Sequence, residues 1–434
     1  MAAEFRTDCE GFHRRDFLKL GSAGLLSLGL ADLLRLEATA AKKKSNAKAT
    51  SVIMVWLAGG PATIDMWDMK PEAPENIRGE FKPIDTSAKG IQICQHLPKV
   101  AKLMDKCSLV RSLHHNIPEH GVGTLYMTTG NKPTPALDYP ALGSLASRVL
   151  PAAPGIPSYV AFSGTRTTGA GYLGTAYSAF EVEGSPERGQ LRVQGISLPA
   201  DFSSDDLARR DKLRNTFDAA FKALDEADLP ASLDKFHQQA LDILRSDKTR
   251  KAFDLEKETK EVRDNYGRGP FGQSALAARR LVEAGVRFVT IGLGGWDTHA
   301  GNFQTLSGRL LPQVDQTLSA LIADLEAKHL LDNTIVYCAG EFGRTPNVNG
   351  QAGRDHWARS MAVFLAGGGI TKGYAHGRTD KQGMEPTGDA CSPDDVSATI
   401  FQRLGIAPKH EVQTVTGRPI AIFREGKVIN KLIA

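Results

Sequence analysis

A run of seven residues, S-V-I-M-V-W-L at 51–57, carries no charge and stops at Gly59-Gly60-Pro61. A strand with one wet face alternates apolar and polar residues, whereas a strand covered on both faces does not. The run therefore demands a sheet buried on both sides, and the Gly-Gly-Pro a loop at the strand's carboxyl end. The same demand recurs at 287–293 (R-F-V-T-I-G-L), 334–339 (T-I-V-Y-C-A) and 361–366. Between these strands lie helical patterns. Residues 274–284 are stopped by Gly285, and within 311–330 Val314, Leu318, Leu321, Ile322 and Leu325 recur at a 3.6-residue period. Strand, helix and strand in turn predict an α/β fold, a doubly wound and mostly parallel sheet with helices on both faces. Residues 201–263 break the pattern. They are charged and poor in β-branched residues, which predicts a helical insertion whose charges make a solvated surface. Residues 164–174 read as a Gly/Thr-rich loop carrying Arg166.

The first forty residues stand apart from this pattern. The string H-R-R-D-F-L-K-L at 13–20 resembles the twin-arginine export motif, with Arg14 and Arg15 followed by Asp16, Phe17, Leu18 and Lys19. Residues 21–30 are weakly apolar and too few to span a bilayer, which takes about 20. Ala38-Thr39-Ala40 is a small-residue cleavage pattern. Residues 1–40 are thus expected to be a twin-arginine signal peptide read by the export machinery, and 41–50 a basic linker. Residues 51–434 are then the cargo domain, delivered to the periplasm or another extracytoplasmic space.

Composition narrows the partners. The net charge of +4 over 434 residues gives no reason to expect nucleic acid or an anionic membrane, and no second apolar segment is long enough to span a bilayer. Cys94, Cys107, Cys338 and Cys391 show no C-x-x-C spacing, which argues against a cysteine metal site, and Cys9 leaves with the signal.

The chemistry-bearing residues follow the strands, where open α/β sheets bind ligands. Asp65 and Asp68 come after the first strand, Asp297 and His299 after the strand ending at Leu293, and Glu341 after the strand ending at Ala339. His114, His115 and His120 follow an apolar run at 108–110, and Asp355-His356 precede the strand at 361–366. Asp297 and His299 are two apart, so in extended backbone they point to one side, and Gly294-Gly295 free the chain there. That arrangement suits a divalent metal and equally a surface turn with a hydrogen-bonded histidine. Asp355 and His356 are adjacent, so His356 is read as ligand and Asp355 as its orienting partner. Arg344 is read as a bidentate partner for an oxyanion. Arg166, Arg378, His376 and Asp380 are weaker candidates near the site.

The order of these motifs resembles the alkaline phosphatase–sulfatase superfamily, and more closely a bacterial sulfatase-like branch known as a domain of unknown function. W-D-T-H at 296–299, V-D-x-T-L-x-x-L-I at 314–322, T-I-V-Y-C-A-G-E-F-G at 334–343, the string at 392–406 and T-G-R-P-I at 416–420 carry the resemblance over nearly all of the mature chain. It implies an alkaline phosphatase-like fold and hydrolysis of phosphate or sulfate esters, of small molecules or glycans, with one or two divalent ions (Zn, Mn or Ca). Asp297, His299 and His356 match the first metal site, and Asp65 the second.

Two departures stand out. The family has Asp-His-Gly where this chain reads Glu341-Phe342-Gly343, so an imidazole is lost. In sulfatases a Cys or Ser nucleophile stands nine residues before a Thr-Gly pair. Counting back from Thr129-Gly130 reaches His120, and no C-x-P-x-R motif is present. His120 is therefore expected to act as a ligand beside Asp65 and Glu341, or else as a nucleophile. The missing nucleophile also suits a non-catalytic metal- or glycan-binding protein at the cell surface.

Overall fold

The structure is a computed structural model, and it describes residues 47–162, 169–185, 190–193 and 246–433. The expected signal peptide, Cys9, most of the basic linker, Arg166 and residues 201–245 of the expected insertion lie outside the described residues.

The strands of the main sheet are β1 (Ser51–Ala58), β2 (Cys107–Leu113), β3 (Tyr159–Phe162), β4 (Phe180–Ser185), β5 (Gln190–Val193), β6 (Phe288–Gly294), β7 (Thr334–Ala339), β8 (Met361–Ala366) and β9 (Tyr374–His376). Their order across the sheet is β9-β2-β8-β7-β1-β6-β3-β4-β5. β7, β1, β6, β3 and β4 run parallel as neighbours. β8 is antiparallel to both β7 and β2, and β5 is antiparallel to β4. The main helices are α1 (His120–Thr129), α2 (Leu142–Val149), α3 (Pro270–Ala284), α4 (Leu311–Ala327) and α5 (Pro393–Arg403). The result is a mixed α/β architecture with a large, mostly parallel sheet flanked by helices.

β1 shows why the apolar run is continuous. Ile53, Val55 and Leu57 face a core that contains Leu276 and Leu281 of α3 and Leu318, Leu321 and Ile322 of α4. Val52, Met54 and Trp56 face a second core with Leu142 and Leu145 of α2 and Ile400 and Phe401 of α5. Each large apolar side chain removed from water contributes about 1.5–3 kcal/mol, so both faces of the sheet hold their helices.

Helix ends follow local chemistry. α3 starts earlier than the periodicity suggests, because Pro270 supplies a preset φ at its first position. It stops at Gly285, which takes a left-handed conformation. α4 stops at Ala327 rather than at residue 330, and His329 beyond it has a φ of 56°. Ser392 and Asp395 form a capping box at the start of α5. The described end of the expected insertion holds two short helices, Asp247–Phe253 and Lys260–Tyr266. Among the described residues, no helix is long and apolar enough to cross a membrane.

This topology collects loops at one edge. β7, β1 and β6 are parallel neighbours, so the loops after Ala339, Ala58 and Gly294 emerge side by side. β8 runs the other way, so the segment that precedes it arrives at the same edge. β2 is antiparallel to β8 and therefore ends there as well.

Candidate metal centre

Three loops and one helix deliver the side chains. Asp297 and His299 follow β6, Glu341 follows β7, and His120 is the first residue of α1. His356 sits in a two-residue ribbon with Arg344, in which Gly343 pairs with Trp357 and Arg344 with His356. α1 begins there because the Glu119 side chain accepts the Gly121 and Val122 amides at 2.8 and 2.7 Å. Those two amides hold the Glu119 carboxyl below its ordinary pKa.

Asp297 is the hub. Its Oδ1 lies 3.0 Å from His299 Nε2 and 3.3 Å from His356 Nε2, and the two imidazole nitrogens are themselves 3.0 Å apart. Its Oδ2 lies 3.4 Å from His120 Nε2. Partial burial opposes ionisation of Asp297, but the Arg344 guanidinium at 2.5 Å outweighs it and the carboxyl is held at about 2.

Each imidazole is held through its other nitrogen. His299 Nδ1 meets Asp355 Oδ1 at 2.6 Å, His356 Nδ1 meets the Pro118 carbonyl at 2.8 Å, and His120 Nδ1 meets Glu341 Oε1 at 2.7 Å. All three partners are acceptors, so Nδ1 carries the proton in each ring. With Nδ1 so engaged, each ring turns its Nε2 toward one carboxylate, the nitrogen through which a neutral imidazole binds a metal. Asp355 thus orients His299, and not the adjacent His356 that its sequence position suggests. The bond to His299 is the main cause of its lowered carboxyl pKa.

Glu341 is 3 % exposed. Its Oε1 also accepts the Gly59 amide at 2.9 Å, while its Oε2 and His120 Nε2 are buried without a hydrogen-bond partner among the described residues. Phe342 packs beside both rings, 4.9 Å from His120 and 4.5 Å from His356 by centroids, and those two rings lie 4.4 Å from each other.

Two expected residues take other parts. Asp65 is not brought to this group. It is fully buried, with Oδ1 and Oδ2 receiving Arg354 Nη2 and Nε at 2.7 and 2.8 Å, and Asn302 adds a bond of 2.8 Å. Both carboxylate oxygens are committed to the core. Burial pushes its pKa up, against the pull of Arg354. Arg344 is not free to clamp an oxyanion either. It is 2 % exposed. Its Nε and Nη1 donate to the Gly60 and Arg354 carbonyls at 2.7 and 3.0 Å, and its Nη2 reaches Gly59 O and Asp297. It positions Asp297. Asp68 pairs with Lys70 and Thr379, and Asp380 caps its own turn through the Gln382, Met384 and Glu385 amides. His376 is buried on β9, and Arg378 is exposed.

The donor set fits a divalent ion. Four-coordinate nitrogen and oxygen ligands at about 2.0–2.1 Å stand about 3.3 Å apart, close to the 3.0–3.3 Å triangle of Asp297, His299 and His356. One ligand atom from each of His120, Asp297 and His356 also falls within a common 4.8 Å. Glu341 Oε2 and His120 Nε2, both buried without a hydrogen bond, are the kind of atom that a cation satisfies.

Sequence reasoning missed Arg354 and the Gly59 amide. The glycine pair after β1 was the available signal. Gly59 has a φ of 118°, and a Cβ there would lie 2.5 Å from the Asp297 amide nitrogen. Nothing in the string G-R-D-H marks Arg354 as the partner of a residue 289 positions away.

Comparison with known proteins places a family model, "Protein of unknown function (DUF1501)", over residues 49–433. No curated protein matches the sequence. Similar solved structures include the PsFucS1 sulfatase from Pseudoalteromonas sp., at 12 % identity and a TM-score of 0.39, covering 86 % of this chain and 70 % of that one. The lipoteichoic acid synthase LtaP from Listeria monocytogenes is similar at 10 % identity and a TM-score of 0.37, covering 90 % and 77 %. Alkaline phosphatase from the Antarctic bacterium TAB5 is similar at 14 % identity and a TM-score of 0.32, covering 76 % and 95 %.

Proposed function

The chain belongs to the DUF1501 family, and from that premise we propose that it is an exported metal-dependent hydrolase of phosphate or sulfate esters. The observation that carries the metal is the convergence of three Nε2 atoms on Asp297, each ring held by an acceptor at Nδ1. Asp297, His299 and His356 would hold the ion, with His120 and Glu341 completing its surroundings. Three imidazoles suit Zn or Mn better than Ca, which prefers all-oxygen ligation.

A bound ion supplies Lewis acidity to an ester oxygen and lowers the pKa of water. The chain's own residues do the rest. Arg344 fixes the Asp297 carboxylate and keeps it ionised. Asp355 and the Pro118 carbonyl fix the tautomers of His299 and His356. Glu341 accepts a hydrogen bond from the Nδ1–H of His120, which turns Nε2 toward the centre to bind a cation or to attack. We assign the ligand part, because His120 and Phe342 are neighbours and the imidazole absent at 342 returns at 120.

The test is elemental analysis of protein exported by its own pathway, with turnover measured on aryl phosphates and aryl sulfates. About one or two Zn or Mn ions per chain are expected, lost in Asp297→Asn and depleted in His120→Ala. Absence of any divalent metal overturns the proposal. A metal-loaded protein inert on both ester classes points to the non-catalytic binding protein, and full metal without turnover in His120→Ala makes it the nucleophile. Export rests on residues 13–20. Replacing Arg14 and Arg15 together by Lys is expected to leave the protein in the cytoplasm by fractionation, and undiminished export would refute the signal assignment.

A further inference from the structure

The segment between Arg344 and His356 reads T-P-N-V-N-G-Q-A-G-R-D at 345–355. Asn349-Gly350 is a turn dipeptide, and the chain turns there. The Ala352 amide bonds the Asn349 carbonyl at 3.1 Å, the Asn349 amide bonds the Gly353 carbonyl at 2.8 Å, and Ala352 has a φ of 53°. The turn lies against the backbone of the loop after β6. The Gly301 and Asn302 amides bond the Gln351 and Ala352 carbonyls at 3.0 and 2.9 Å, and a Cβ at Gly353 would overlap the His299 carbonyl.

The Asn349 side chain joins this turn to the metal centre. Its Oδ1 accepts the Gln351 and Gly353 amides at 2.9 and 3.0 Å. Its Nδ2 donates to the His299 carbonyl at 2.9 Å and faces both Asp355 carboxylate oxygens at 3.4 Å. Both lone pairs and both hydrogens of the amide are thus in use. Backbone amides only donate, and a carbonyl and a carboxylate only accept, so the network allows one orientation of the side-chain amide. The Asp355 side chain is 54 % exposed. Among the described residues its carboxylate has two hydrogen-bonding partners, His299 Nδ1 at 2.6 Å and Asn349 Nδ2. An exposed carboxylate held at one point keeps rotamer freedom, and a second point of attachment removes it. One side chain therefore grips both the backbone of His299 and the group that orients its ring.

We propose that Asn349 is a positioning residue of the metal centre: its Nδ2 fixes His299 and Asp355 relative to each other and so sets how tightly the centre holds its ion. This rests on His299 being a ligand, as proposed above. Zinc competition with a chromogenic chelator tests it on wild type, Asn349→Asp, Asn349→Ala, Asp355→Asn and the double variant Asn349→Asp/Asp355→Asn. In about 1 M salt the screening length is about 3 Å, so a charge added at 349 does little by itself to attract the ion. Asn349→Asp keeps the oxygen that closes the turn and loses the donor, whereas Asn349→Ala loses both. Each is expected to weaken zinc binding by about tenfold or more, as loss of an orienting contact does, while the urea midpoint of Asn349→Asp stays close to that of wild type. The double variant should lose less than the product of the two single losses, because residues in contact do not act independently. Wild-type affinity in Asn349→Asp beside a loss in Asn349→Ala makes the residue a turn former alone and overturns the proposal. So do single losses that multiply in full. Wild-type protein that binds no zinc overturns the metal centre and this proposal with it, a failure distinct from the other two.

Discussion

Asp297 Oδ1 faces Arg344, His299 and His356 at 2.5, 3.0 and 3.3 Å. The guanidinium keeps the carboxylate charged, and Asp355 keeps the His299 Nε2 on the same side. Removing an orienting partner of this kind costs about 10–100-fold in metal affinity. Asp355→Asn is expected to show that loss in competition with a chromogenic chelator, while turnover at saturating metal falls much less. Asp65 makes the contrasting case. Breaking a buried ion pair from one side costs about 3–5 kcal/mol. Asp65→Asn should lower urea stability by that order and leave metal content untouched. Loss of metal without loss of stability would return Asp65 to the ligand set.

At the scale of elements, the strand-to-loop junctions set the centre. Gly59 lets the chain leave β1 at a positive φ while the Asp297 backbone passes within contact. An alanine Cβ there meets Asp297 and Trp296 backbone atoms at 2.5–2.9 Å, so either β1's loop or the Asp297 loop must shift. Gly59→Ala is expected to cut metal affinity by more than about tenfold, because a misplacement of about 1 Å is enough to spoil a preorganised site. Gly90→Ala is the control. Gly90 has a φ of 79° and nothing within 4 Å of a Cβ, so only backbone strain of about 1–2 kcal/mol is expected, with metal affinity intact. Equal affinity loss in both variants would remove the steric argument.

For the whole molecule, the two cores on either side of the sheet enclose the thiols. Cys94, Cys107, Cys338 and Cys391 are all free and buried. Burial pushes Cys94, Cys338 and Cys391 up to about 12 and raises Cys107 as well. Thiolate is the reactive form, so none of the four is expected to react with a thiol reagent at neutral pH in folded protein. All four should react in denaturant. Rapid labelling of any of them under native conditions would show that the sheet opens on the timescale of the assay.

The strands at 51–58, 334–339 and 361–366 and the apolar stripe of α4 were legible in the sequence, because burial on two faces or on one stripe writes itself into residue order. So were Asp297, His299, His356, Glu341 and His120 as candidates, since each sits beside a strand end or at a family motif. Pairing was not legible. Whether Asp355 holds His299 or His356, whether Asp65 meets a cation or Arg354, and whether Arg344 faces outward or holds Asp297 all depend on segments up to 289 positions apart. Periodicity is a local property, whereas these contacts exist only once β7, β1 and β6 stand side by side and their loops compete for the same space. The sequence by itself determined the sheet, its two cores and the residue types at its edge. The tertiary structure alone decided which carboxylate stays available at the centre and which is spent in the core.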